Sequence, residues 1–247
     1  MGRAIHIFNN AEAVSRAAAE LVVLAANQAI EARGLFNIAL SGGSTPKRLY
    51  QHLASDAYNQ QIDWQKVHIY FGDERNVPPE HPESNYRMAR EAFLDQLPIP
   101  EQQIHRMQGE REDLEKAAAE YAELLKALPT RNGLPQFDLI LLGMGDDGHT
   151  ASLFPGTVAL NEKSKTVVAQ TIPQLNTRRI TLSYPLINNA HQVMLLVAGE
   201  SKASRLEEVL VSAPEGRYPV QGIKPKGILN WLLDRSAASK LPRMLVA

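Results

Sequence analysis

The chain has 247 residues, of which 44% are hydrophobic and 21% charged, fractions that suit a folded domain and exclude a disordered one. Lys plus Arg number 26 against Asp plus Glu 27, a net charge of −1 that offers no field for capturing nucleic acid or an anionic membrane. With no cysteine, disulfides, thiolate metal sites, iron–sulfur clusters and a cysteine nucleophile are excluded together.

In chain order, residues 5–8 predict a strand, and Asn10 is placed to cap a helix over 11–33 that Gly34 stops. A strand over 36–40 leads into S-G-G-S-T-P and a helix over 46–55. The strand over 67–71 runs into a polar loop, 72–85, followed by helices over 86–96 and 112–128. In the second of these, Leu114, Ala118, Tyr121 and Leu125 share one face at spacings of three and four. Residues 137–142 are an almost unbroken apolar run, the mark of a strand covered on both faces, and end in G-M-G-D-D-G-H. Further strands are expected over 166–169, 179–183 and 193–198, with helices over 202–211 and 227–234.

This alternation implies an α/β fold: an open, mainly parallel, doubly wound sheet with helices on both faces. The proline-containing loops 78–82 and 214–225 are too short to act as domain linkers, so residues 1–247 are expected to form a single domain. No apolar run nears the roughly 18 residues that cross a bilayer. The opening M-G-R-A-I-H-I-F-N-N has no signal-peptide core, and His6 stands where myristoylation expects Ser or Thr. A soluble, cytoplasmic protein without nucleic-acid or membrane partners is the expectation. A monomer is expected too, with larger assemblies left open.

In such sheets ligands bind beyond the carboxyl ends of the strands. Three chemically rich turns fall there: Ser41 to Thr45, Gly72 to Arg75 and Gly143 to His149. In the first, Gly42 and Gly43 permit close backbone approach, Ser44 and Thr45 add hydroxyls, and Pro46 suits a helix's first turn. Free N–H groups at a positive helix end suit a phosphate. A plain strand–helix turn with a serine cap explains the same letters equally well. The spacing is not that of a Walker A loop.

The third turn matches G-x-G-x-x-G, yet Asp146 and Asp147 would face a pyrophosphate, and no acidic residue ends a second strand about 20 positions on. A dinucleotide site is therefore rejected. Asp147 and His149 instead pair as a carboxylate and a base. Histidine's ordinary pKa of about 6.5 lets neutral imidazole take a proton from water near neutral pH. The other histidines, His6, His52, His68, His81, His105 and His191, read as surface or satisfied core residues. Asp73, Glu74 and Arg75 put a guanidinium and two acids at the same sheet edge, where a surface salt-bridge cluster is the plain alternative. Arg178, Arg179 and Lys202 are either solvated charges or further cations of the kind a sugar-phosphate site requires. No metal-ligand spacing is present, so a metal is not implied.

Five segments, A-L-S-G-G-S-T-P, F-G-D-E-R-N-V-P-P-E-H-P-E-S-N-Y, L-L-G-M-G-D-D-G-H-T-A-S-L-F-P-G, R-R-I-T-L-S-Y-P and A-G-E-S-K-A, stand in order between Ala39 and Ala203. With them the chain closely resembles the 6-phosphogluconolactonase family. The resemblance implies a fold shared with sugar-phosphate isomerases and deaminases. It also implies metal- and cofactor-free hydrolysis of 6-phospho-D-glucono-1,5-lactone to 6-phosphogluconate in the oxidative pentose phosphate pathway. By the same resemblance His149 is the general base, Asp147 the acid before it, and Arg75 the arginine of the D-E-R loop. Gly42, Gly43, Ser44 and Thr45 match the phosphate-side loop; Asp73, Arg179 and Lys202 complete the expected substrate contacts.

Two rivals are weighed. In the related glucosamine-6-phosphate deaminases a glutamate follows the histidine by five positions; here that position holds Phe154, whose apolar ring cannot relay a proton. A non-enzymatic sugar-phosphate sensor would normally carry a DNA-binding helix-turn-helix, and no basic appendage precedes the strand at Ile5.

Overall fold

The computed structural model describes residues 2–242 and residue 245. Strand β1 (Gly2–Phe8) leads to helix α1 (Ala11–Arg33), which begins where the Asn10 side chain accepts the Ala13 N–H at 2.9 Å. It ends where Gly34, at φ +80°, returns its N–H to the Ile30 carbonyl. Both caps stand where the sequence places them. Then come β2 (Phe36–Leu40), α2 (Ser44–Ala54), β3 (Val67–Phe71), β4 (Asp73–Arg75), α3 (Asn85–Ala92) and α4 (Leu114–Leu124). Leu114, Ala118, Tyr121 and Leu125 are all buried, as their spacing requires. The chain continues through β5 (Thr130–Arg131), β6 (Leu134–Pro135), β7 (Leu139–Gly143), β8 (Val167–Ile172) and β9 (Thr177–Leu182). Last are α5 (Tyr184–Ile187), β10 (Gln192–Val197), α6 (Ala203–Glu207) and β11 (Ile228–Asp234).

Six strands form a parallel sheet in the order β1-β11-β10-β7-β2-β3. Every residue of β2 is buried, and Leu139 to Leu142 of β7 are fully enclosed, so both sheet faces are covered. From β2 the chain proceeds to β3 on one side, whereas β7, β10 and β11 follow one another on the other. The reversal falls between β2 and β7, and the crevice beyond their carboxyl ends is where such a sheet binds its ligand.

Three expectations need correction. Residues 227–234 are predicted as a helix, yet they form β11, paired on both sides with β1 and β10. The apolar letters of I-L-N-W-L-L-D serve either geometry, and here two neighbouring strands supply the deciding hydrogen bonds. The loop 72–85 is not wholly irregular, because Asp73–Arg75 pairs antiparallel with β9. With β8 these strands make a separate three-stranded antiparallel sheet, so β8 and β9 do not extend the parallel one. A small hairpin, β5–β6, turns at Asn132-Gly133 with φ of 53° and 75°, the Asn-Gly chemistry of a tight turn. Among the described residues no helix is long and apolar enough to cross a membrane.

Candidate active site

The three turns meet. A cavity of about 250 Å³ is lined by Ser41 to Pro46, Asp73, Arg75, Gly143 to Gly145, His149 to Ala151, the end of β10 and Lys202. Larger cavities of about 370 and 520 Å³ lie elsewhere with no histidine in their walls, and one of about 290 Å³ holds His191 beside Asp138 and Arg33 but has no glycine-rich turn in its wall. Chemistry rather than size therefore selects the site.

His149 reaches it through a turn that only glycines permit. A Cβ on Gly145 would stand 2.1 Å from the His149 ring. Gly148 has φ +78°, and a Cβ there would press on the Tyr218 ring at 2.9 Å. Asp147 Oδ1 lies 2.6 Å from His149 Nδ1 and also accepts the His149 backbone N–H at 3.0 Å. Burial opposes ionisation of Asp147, but these contacts outweigh it and hold the carboxyl below its ordinary range. A carboxylate only accepts, so in the neutral ring Nδ1 carries the hydrogen and Nε2 keeps its lone pair. Nε2 has no protein partner among the described residues. On one face of the ring lies Phe154, centroids 3.9 Å apart and planes 19° apart.

Helix α2 points its amino end at the same space. Its N-cap, Gly43 at φ +107°, has no side-chain capping bond, so the first-turn N–H groups are left for a ligand. The buried Tyr50 hydroxyl fixes the preceding turn, donating to the Ser41 carbonyl at 2.8 Å and accepting the Ser41 N–H at 2.9 Å. Gly42 must lack a side chain, since a Cβ would sit 2.1 Å from Asn85 Oδ1.

Opposite, the Asp73-Glu74-Arg75 strand is braced from below. Asp73 is buried; its carboxylate accepts Ser152 Oγ at 2.6 Å and Asn85 Nδ2 at 3.2 Å. Glu74 is buried and caps α3, accepting the N–H groups of Asn85 and Tyr86 at 2.8 and 2.9 Å and Ser84 Oγ at 3.0 Å. Burial pushes the Glu74 carboxyl upward, and the backbone donors offset this only in part. Arg75 lines the cavity, donates one Nη to the Glu83 carbonyl, and leaves its Nε buried without a partner.

The remaining cations separate. Lys202 lines the cavity, and its amine pairs with Asp146 Oδ1 at 2.5 Å. Arg179 does not line it. It lies directly across the β4–β9 pair from Arg75, and burial first, then Arg75's charge, depresses its pKa. Arg178 turns away to Glu115 on α4. None of the other six histidines lines the cavity. Sequence reasoning passes over Asn85 and Ser152, whose contacts with Asp73 join residues 12 and 79 positions apart. No local pattern signals such bonds.

Beyond this geometry, the family model described as glucosamine-6-phosphate isomerases/6-phosphogluconolactonase matches residues 9–231. A 6-phosphogluconolactonase of Synechocystis is 44% identical over 246 residues, covering 98% of this chain and 99% of that one. Among solved structures, a devB protein superposes with a TM-score of 0.89 at 36% identity, covering 97% of this chain and all of that one. The 6-phosphogluconolactonase of Trypanosoma brucei gives 0.86 at 29%, covering 97% and 99%. Agreement along nearly the whole length, not in one motif, settles the descent: the chain belongs to the glucosamine-6-phosphate isomerase/6-phosphogluconolactonase family.

Proposed function

We propose that the chain hydrolyses 6-phospho-D-glucono-1,5-lactone to 6-phospho-D-gluconate, the lactone step of the oxidative pentose phosphate pathway, with His149 as general base on water. The observation that carries this reading is one cavity holding both an imidazole, fixed at Nδ1 by Asp147, and the uncapped amino end of α2. One is a proton acceptor with a defined free nitrogen. The other is a cradle for a phosphate dianion.

A δ-lactone is an activated ester, so direct attack by water suffices and no covalent nucleophile is required. His149 Nε2 takes the water's proton while Asp147 stabilises the imidazolium that forms. General-base catalysis of this type is typically worth about 10²- to 10⁴-fold. Charge then develops on the carbonyl oxygen, where Arg75 and turn N–H groups are the available donors; one such donor is worth about 2.7–4 kcal/mol. Gly42, Gly43, Ser44 and Thr45 hold the phosphate with Lys202, and Arg179 adds positive potential from the strand beside Arg75. Asp73, which lines the cavity, is fixed by Ser152 and Asn85 as a substrate contact and holds Arg75's strand in place. Binding the distant phosphate orients the lactone carbonyl for attack.

The experiment is hydrolysis of freshly generated 6-phosphogluconolactone, with glucosamine 6-phosphate as control. Acid release far above the spontaneous rate, with no ammonia from the amino sugar, is expected. Ammonia release without lactone hydrolysis would overturn the reading.

A further inference from the structure

His149 is gripped on three sides. Asp147 holds Nδ1, a Cβ on Gly145 would stand 2.1 Å from Nδ1 and Cε1, and the Phe154 ring covers a face at 3.9 Å. Phe154 itself is 4% exposed. Only five positions separate the two rings, so the chain must reverse sharply to bring them together.

That reversal is built. Thr150 and Leu153 pair as an antiparallel bridge, and the Leu153 N–H returns to the Thr150 carbonyl at 2.9 Å. Between them Ala151 is held at φ +47°, a conformation that a residue with a Cβ rarely adopts and that persists only where surroundings impose it. Ser152 imposes it: its hydroxyl donates to Asp73, its N–H to Thr181 Oγ1 at 3.2 Å, and its carbonyl accepts Gln170 Nε2. Beyond the turn, Thr157 Oγ1 and N–H both donate to the Phe154 carbonyl, at 2.8 and 3.2 Å. Bonds to three other elements and one strained alanine all serve to return Phe154 onto the imidazole.

We propose that Phe154 is a positioning residue for the reaction: its ring fixes the plane of His149, so that Nε2 is presented to water in one orientation. This rests on His149 being the base. Asp147 fixes one nitrogen and Gly145 crowds the Nδ1–Cε1 side; the flat Phe154 face removes the rocking about the hydrogen bond that these two leave. Leucine fills a comparable volume with no planar face, whereas tyrosine keeps the ring. A loss of orientation lowers kcat and leaves phosphate binding, hence KM, nearly unchanged.

The test compares the full-length parent with Phe154→Leu, Phe154→Tyr and His149→Gln on the lactone, with the His149 Cε1–H resonance as a second readout. Phe154→Leu is expected to lower kcat about 10- to 100-fold with KM within twofold. Phe154→Tyr should keep kcat within about threefold. The resonance, shifted upfield by the stacked ring in the parent and in Phe154→Tyr, should return downfield in Phe154→Leu. Unchanged kcat in folded Phe154→Leu, beside an inactive His149→Gln, would overturn the positioning role alone. An active His149→Gln would remove the base assignment, and this proposal with it. Should Phe154→Leu fail to fold, Phe154→Met is read in its place by the same kcat and KM criteria, and a parent His149 resonance without an upfield shift refutes the stack outright.

Discussion

Neutral His149 has one unprotonated nitrogen to offer, and its neighbours determine which. Asp147 at 2.6 Å from Nδ1 makes it Nε2. His149→Gln, which keeps shape but cannot accept and hold a proton, should cut kcat/KM by about 10²- to 10⁴-fold with the thermal midpoint nearly unchanged; proton release followed in a stopped-flow instrument measures it. Lys202→Ala should raise KM more than it lowers kcat, since Lys202 lines the cavity and its amine bonds Asp146 and not the His149–Asp147 pair. An unchanged KM would take Lys202 out of the phosphate site. At this scale the glycine-rich turn and the Asp-x-His pair are legible in the sequence, because residues two apart decide that geometry. Arg179's place directly across from Arg75 is not, for it depends on a cross-strand register between residues far apart in sequence. Asp146's pairing with Lys202, across 56 positions, is hidden for the same reason.

The elements place those residues and hold them. Glu74 satisfies the amino end of α3 with a buried carboxylate, and α3 in turn carries Asn85 to Asp73 and against Gly42. Glu74→Ala strands those buried donors and should destabilise the fold by about 1–3 kcal/mol, read as a lower urea midpoint at constant slope. Gly145→Ala is the opposite kind of change. Its Cβ would occupy space 2.1 Å from the His149 ring, so activity should collapse while the urea midpoint moves little. Helix α1, with its asparagine and glycine ends, and the unbroken apolar core of β7 are readable because local chemistry and tertiary burial agree there. β11 is misread because an apolar run of that length fits a helix or a doubly covered strand. Only its neighbours β1 and β10 decide between them.

Across the whole molecule the parallel order of the sheet explains why turns some 100 residues apart share a cavity: β2 and β7 are neighbours at the point where the winding reverses. The fold also stores a sensitivity to acid away from the site. His68 Nδ1 and His105 Nε2 are 3.2 Å apart, and His105 stacks on Tyr70. Burial, then the charge of His68, pushes His105 down to about 4, and burial lowers His68 as well. Folded His105 thus stays neutral where the unfolded chain, near its ordinary value of about 6.5, has taken up a proton. The unfolded state binds more protons in that window, so stability falls as pH drops from about 6.5 towards 4. The thermal midpoint should decline over this range, and His105→Gln should decline less steeply.

Hydrolysis by water and an imidazole also predicts that prolonged EDTA treatment leaves activity intact; loss restored by zinc would point to a ligand set outside this account. The most direct measurement is the rate of acid release from freshly made 6-phosphogluconolactone by the parent and by His149→Gln, each set against spontaneous hydrolysis. A parent rate far above background that falls by at least about 100-fold in the variant is the predicted result. Equal rates for the two would contradict it.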